Sequence, residues 1–191
     1  MPHPLPGSYR SDGQDSENFY FLLQNTPFSV IVCVNVFTHE GAKRREKLHM
    51  RTYTTSQLGR IVLIHLGKGE GVLESVEAEV SRLGIKNGIL LSAIGSLRKA
   101  CLHFITNTDD TAVNRFITIE RPIELSSAQG LIVDGVPHFH LTISEPDGMY
   151  AGHMEPCCEV QYLAELAILE LKGISLTRRQ DEYGISYIDT V

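Results

Sequence analysis

The chain has 191 residues, 42% of them hydrophobic and 21% charged, and carries a formal net charge of −6 at pH 7. That length and balance describe one folded domain with some chain to spare, and exclude disordered and collagen-like classes. No apolar run reaches the ~18 residues of a membrane helix, so no membrane partner is expected, and an acidic chain lacks the basic surface expected of a protein that binds by neutralising phosphates.

Residues 1–49 differ from the rest. MPHPLPGSYRSDGQDSEN is rich in Pro, Gly and Ser, the composition of an unstructured segment. PFSVIVCVNVF follows as a short β-branched apolar run, then the basic cluster KRREK, Lys43–Lys47. A secretory signal places its charges before the apolar run, the reverse of this order; a basic cluster of this kind also reads as a nuclear-type or nucleic-acid patch. Our reading takes 1–49 as a poorly structured extension, a gene-start artefact with Met50 as the functional start, and 50–191 as the domain.

RIVLIHL, from Arg60, is β-branched and apolar and predicts a strand. GKGEG is a turn. In VLESVEAEVSRLG, Val72, Leu73, Val76, Val80 and Leu83 recur at helical spacing, with acids early and Arg82 late as the helix dipole favours; Gly84 ends the helix. NGILLSAIGS and LRKACLHFITN read as two strands, NTDDTAVN as a loop, and RFITIE as a short strand. PIELSSAQGLIVDG closes on an Asp-Gly turn and VPHFHLTIS follows, which predicts a hairpin. EPDGMYAG reads as a loop, CCEVQYLAELAILEL as a strand, and the tail as one more β segment. One helix beside a series of strands on short turns predicts an α+β fold, a mostly antiparallel sheet packed with one main helix.

The turn GKGEGV sits between a strand and a helix, where phosphate loops occur. Its G-x-G-x-G spacing meets neither the Walker nor the dinucleotide pattern, so a plain strand-to-helix turn is the reading. The four cysteines, Cys33, Cys101, Cys157 and Cys158, form no CxxC pair. They are expected to be buried packing thiols without a disulfide framework, which suits a reducing cytoplasm.

The eight histidines divide by context. His3, His39 and His49 lie in or beside the extension. His65 and His103 each stand alone in a strand, the position of a structural or surface histidine. His138 and His140 are two apart in a strand and therefore face the same side, roughly 6.5–7 Å apart along the chain, with Phe139 pointing into the core. His153 follows across EPDGMY and can reach the pair if that segment folds back. Three neutral imidazoles plus a water make an open tetrahedral Zn²⁺ site of the catalytic type; the alternative is a polar strand face with two half-exposed histidines. Glu145, Asp147 and Glu155 are nearby acids able to orient a histidine or serve as base to a bound water. Glu155 is the candidate for a catalytic role.

In order, GRIVLIHLGKGEGVLESVEAEVSRLGIKNGILLSAIGSL, RPIELSSAQGLI, DGVPHFHLTISEPDG and GHMEPCCEVQYLAELAILEL resemble the plants-and-prokaryotes-conserved (PPC) domain family over about residues 58–190. The resemblance implies an antiparallel sheet with a packed helix, assembled as a homotrimer. It implies a metal site, with zinc as the expected ion, at His138, His140 and His153. It also implies the DNA-binding label that stand-alone prokaryotic members carry. Two departures stand out. No AT-hook core of the Arg-Gly-Arg-Pro type is present, and minor-groove reading needs inserted Arg or Lys. Gln129 stands where a small or apolar residue is expected. Two functions follow: a trimeric, metal-binding, DNA-associated regulatory module, or a zinc-dependent hydrolase or lyase using the open position.

Overall fold

The computed structural model describes residues 50–191 and, before them, the pairing of two short strands. These are β1 (Glu17–Leu22) and β2 (Ile31–Val36), which run antiparallel. The rest of 1–49, and with it the expectation of an unstructured extension containing the Lys43–Lys47 cluster, lies outside the described residues. The chain divides into two compact units, Met1–His49 and Met50–Val191.

The second unit holds β3 (Gln57–Gly67), α1 (Val72–Leu83), β4 (Asn87–Ile105), β5 (Asn114–Ile119), β6 (Ile123–Val133), β7 (Val136–Glu145), β8 (Gly148–Met154), β9 (Glu159–Lys172), β10 (Leu176–Gln180) and β11 (Ser186–Thr190). Seven strands form one antiparallel sheet in the order β3-β9-β4-β6-β7-β8, with β5 on β4. A further pairing of β4 with β8 closes β4, β6, β7 and β8 into a ring. The hairpin β10–β11 forms a separate two-stranded sheet. This is the α+β architecture the strand-rich pattern predicts, with one helix among the described residues.

Helix α1 forms for the expected reasons. Val72, Leu73, Val76 and Val80 are its buried stripe, Glu74 and Arg82 sit at the dipole-favoured ends, and Gly84 takes the left-handed C-cap at φ 66°. The preceding turn is held by the Gly67 N–H, which donates to the Glu70 carboxylate at 2.5 Å. An acid already occupies the place a phosphate would need.

The structure differs from the sequence reading at three places. NGILLSAIGS and LRKACLHFITN are one 19-residue strand, β4. Gly95, at φ 157°, and the register shifts around Leu97 let it bend where a break was expected. EPDGMYAG is a tight turn at Pro146–Asp147 followed by β8, since Glu145 already pairs with Gly148. The tail is a hairpin, not a single strand.

The cysteines are also corrected. Cys101 and Cys157 are disulfide-bonded, with Cα atoms 5.9 Å apart across a sequence separation of 56. Spacing could not reveal a pair that the flanking β4–β8 and β4–β9 pairings bring together. Among the described residues, Cys158 is the buried free thiol. The Cys101 N–H donates to its Sγ, and the Cys158 thiol donates to the Cys101 carbonyl. The argument for a reducing compartment, which assumed unpaired thiols, loses this support. Among the described residues no helix is long and apolar enough to cross a membrane.

Candidate metal centre

Strand alternation builds the site. Phe139, Leu141 and Ile143 are 1%, 1% and 0% exposed and form one face of β7 in the core. His138 and His140 therefore take the other face. The tight turn at Pro146–Asp147 sends β8 back along β7, so His153 becomes the register partner of His140. The other edge of β8 meets β4, where His153 is the partner of His103. Side chains opposite one another in register stand side by side on one face. Three adjacent strands thus align His140, His153 and His103.

The rings are close. The His138 and His140 centroids are 5.5 Å apart, His138 and His153 4.7 Å, and His140 and His153 5.4 Å. His153 stacks on His103 at 4.5 Å with an interplanar angle of 27°. Three imidazoles on one tetrahedral ion, with Zn–N bonds of about 2.0–2.1 Å, place their ring centroids on the order of 5 Å apart. The three histidines named from the sequence are brought together at that spacing, around an edge-on His153.

The donor atoms are arranged differently from the ring centres. Among the described residues, the group whose ligand atoms all lie within 4.8 Å of one another is His103, His153 and Glu155. This is a possible metal-binding site that shares His153 with the predicted triad. Glu155 Oε1 accepts from Nδ1 of His103 at 2.5 Å and from Nδ1 of His153 at 3.1 Å. A carboxylate oxygen accepts, so both Nδ1 atoms carry protons and both Nε2 lone pairs are left to face an ion. The Glu155 N–H donates to the Cys101 carbonyl at 2.9 Å, which ties the acid to β4.

The electrostatics favour the neutral form of His138 and His153. Burial, reinforced by the positive charge of Arg178 and by the neighbouring imidazoles, pushes the pKa of His138 down to about 4. Burial also lowers that of His153, with His103 adding to the effect and Glu155 opposing it. Neutral imidazole is the form that ligates a metal. By charge, donor type and spacing, the residues present fit a borderline-soft divalent ion.

His103 is the residue the sequence reading missed. A lone histidine in LRKACLHFITN has no local signal. Only the β4–β8 register, which joins distant segments, makes it a neighbour of His153. The other lone strand histidine, His65, stands 3.7 Å from Glu165 with its side chain 65% exposed, away from this cluster. Of the three candidate acids, Glu145 pairs with Arg121 and Glu155 joins the histidines; Asp147 sits in the turn between β7 and β8.

Known proteins share this framework. A structure of a plant- and prokaryote-conserved protein from Pyrococcus horikoshii is 26% identical and covers 73% of this chain and 99% of its own, with a TM-score of 0.62. A metal-containing protein from Archaeoglobus fulgidus shares the fold at 24% identity, over 71% of this chain and 95% of that one, with a TM-score of 0.61. A curated bifunctional protein GlmU from Synechococcus sp. (strain JA-3-3Ab) is 28% identical over 123 residues, 64% of this chain. The match spans only 19% of that much longer protein. The model of the Plants and Prokaryotes Conserved (PCC) domain matches residues 53–172, which include the four clustered histidines and Glu155, and the chain belongs to that family.

Proposed function

We propose that this chain is a metal-binding PCC-domain protein in which His138, His140 and His153 hold Zn²⁺ or a similar divalent ion, leaving one position open. In this reading Glu155 orients His153, and His103 completes the hydrogen-bonded surround. The observation that carries it is the convergence of the triad's rings at 4.7–5.5 Å on three neighbouring strand positions, with His138 held neutral. The bound ion would supply Lewis acidity and lower the pKa of a water at the open position. The chain's own residues would fix the ring orientations and keep His138 and His153 unprotonated.

Metal analysis of the purified full chain tests this. About one ion per chain is expected in the wild type, with loss on His138→Ala, His140→Ala or His153→Ala. A metal-free wild type after zinc reconstitution rejects the reading. Retention by His138→Ala with loss in His103→Ala would move the ion to His103, His153 and Glu155.

Homotrimeric assembly belongs to the same proposal. Its support is an apolar outer sheet face on β3, β9 and β4 that exposes Ile61 at 64%, Leu63 at 78%, Leu163 at 41% and Ile94 at 49%. Apolar area of this kind on neighbouring strands is characteristic of an interaction surface. Light scattering with size exclusion should give three times the chain mass; a monomer at micromolar concentration would reject it.

The open position and the cavity beside His138 and His140 favour a second reading, a zinc-dependent hydrolase or lyase. The DNA-binding role implied by the resemblance finds less support, since the net charge is −6 and no AT-hook core is present. Salt-dependent DNA binding tighter than ~10⁻⁴ M in a mobility-shift titration would reinstate it.

A further inference from the structure

The cavity beside the histidines has a wall that the conserved domain does not supply. It measures about 330 Å³ and is lined by Gln129, Leu131, His138, His140, Arg178 and Ile188. That volume lies in the range of small-molecule pockets, about 300–1,000 Å³. The floor comes from β6 and β7, where Gln129 is the register partner of His140 and Leu131 that of His138. The remaining wall, Arg178 and Ile188, comes from β10 and β11, beyond residue 172 where the family match ends.

This wall is held in place. The Tyr53 hydroxyl donates to the Ile188 carbonyl at 2.8 Å, the Asn87 side-chain amide to the Ile174 carbonyl at 3.0 Å, and Arg179 pairs with Asp189 at 3.2 Å. Arg178 itself is treated unlike most of the described arginines. Arg51, Arg60, Arg82, Arg98, Arg121 and Arg179 each stand within 4.0 Å of a carboxylate. Among the described residues, the Arg178 Nε is buried and has no hydrogen-bond partner. It lines the cavity together with His138 and is close enough for its charge to add to the effect of burial on that ring. An arginine stays protonated under these conditions, and a buried Nε–H without a partner is unfavourable until an acceptor arrives.

We infer that Arg178 anchors a small oxyanion, the carboxylate or phosphate end of a ligand, bound in the cavity between β10 and the His138–His140 pair. The guanidinium fork matches either anion. Gln129 adds an amide beside it, and Leu131 and Ile188 give apolar walls for the body of a small organic molecule. The inference rests on the metal reading in one respect: the ion's open position would take a second oxygen of the same group. It thereby names the ligand class of that site.

Calorimetric titration of the full chain tests it, with propionate and inorganic phosphate as probes and metal content measured on each sample. Wild-type protein is expected to bind at least one probe, and which one separates the carboxylate source from the phosphate source. Arg178→Gln is expected to retain its metal and bind about tenfold more weakly or worse, while melting no lower than the unliganded wild type. Unchanged affinity in Arg178→Gln, or no binding of either probe to the wild type, overturns the inference. Anion binding that depends on Arg178 in a metal-free wild type upholds it and rejects the metal reading instead. If Arg178→Gln does not fold, Ile188→Phe narrows the same cavity, and unchanged anion affinity in that variant overturns the inference equally.

Discussion

His103 on β4 and His153 on β8 are register partners whose rings stack at 4.5 Å, and a single oxygen of Glu155 accepts from both. This contact closes the ring of strands and builds the candidate site at once. Each side of it can be tested separately. Glu155→Gln keeps the side chain's size but removes the charge that both Nδ1–H groups face. It should weaken metal affinity by about 10–100-fold, the usual effect of losing such a hydrogen-bonding partner, without unfolding the domain. Competition with a chelating indicator measures this; unaltered affinity would show that Glu155 does not orient the ligands.

The disulfide should contribute substantially to stability. Cys101 and Cys157 close a loop with a sequence separation of 56, for which the chain-entropy account gives about 4 kcal/mol. Cys157→Ser, or wild-type protein in reductant, should melt at a markedly lower temperature. Equal melting of oxidised and reduced protein would show that the crosslink adds no net stability.

Glu170 should contribute stability that strong acid removes. It is 7% exposed, and Arg60 binds it through Nε at 2.8 Å, through Nη2 at 3.1 Å and through its backbone N–H at 3.1 Å. These hydrogen bonds, with burial opposing them, lower the carboxyl pKa to about 2 from 4.5. A carboxyl depressed on folding stabilises the native state above its unfolded pKa and loses that contribution as pH falls through the folded value. Glu170→Gln should thus melt below wild type at pH 7, with the gap shrinking from about pH 4.5 down to about pH 2. A constant gap across that range would show that the loss is one of packing and not of charge.

Gly130 controls the approach of β6 to β7. A Cβ at this position would lie 2.0 Å from the His138 carbonyl oxygen, and its φ of 154° is one that side chains rarely adopt. Gly130→Ala should destabilise by at least ~1–3 kcal/mol, the usual cost of overpacking, and should displace His138. Denaturant melts measure the first effect and zinc stoichiometry the second. Gly84→Ala, where nothing lies within 4 Å but φ is 66°, should cost stability and leave metal binding intact.

Local pattern was enough for much of this protein. Helical spacing from Val72 to Leu83 and the Asp134–Gly135 turn between β6 and β7 were legible because each depends on residues within a few positions of one another. The alternation of His138, Phe139 and His140 was legible for the same reason, since strand geometry alone sends neighbours to opposite faces. The sequence reading divides β4 between Ser96 and Leu97, and only its pairings with β6 and β9 show one continuous strand.

The sequence by itself determined the fold class and the two histidines that share a face, which follow from periodicity and short-range order, while its motifs carried the family resemblance. Only the tertiary structure decided that His103 joins His153 and Glu155, that Cys101 and Cys157 bond, and that Arg178 lies beside His138. Each of these pairs segments far apart in the chain through strand register or through a hairpin folded back on the sheet. Register is fixed by the burial of whole strand faces, a collective property that no single residue announces.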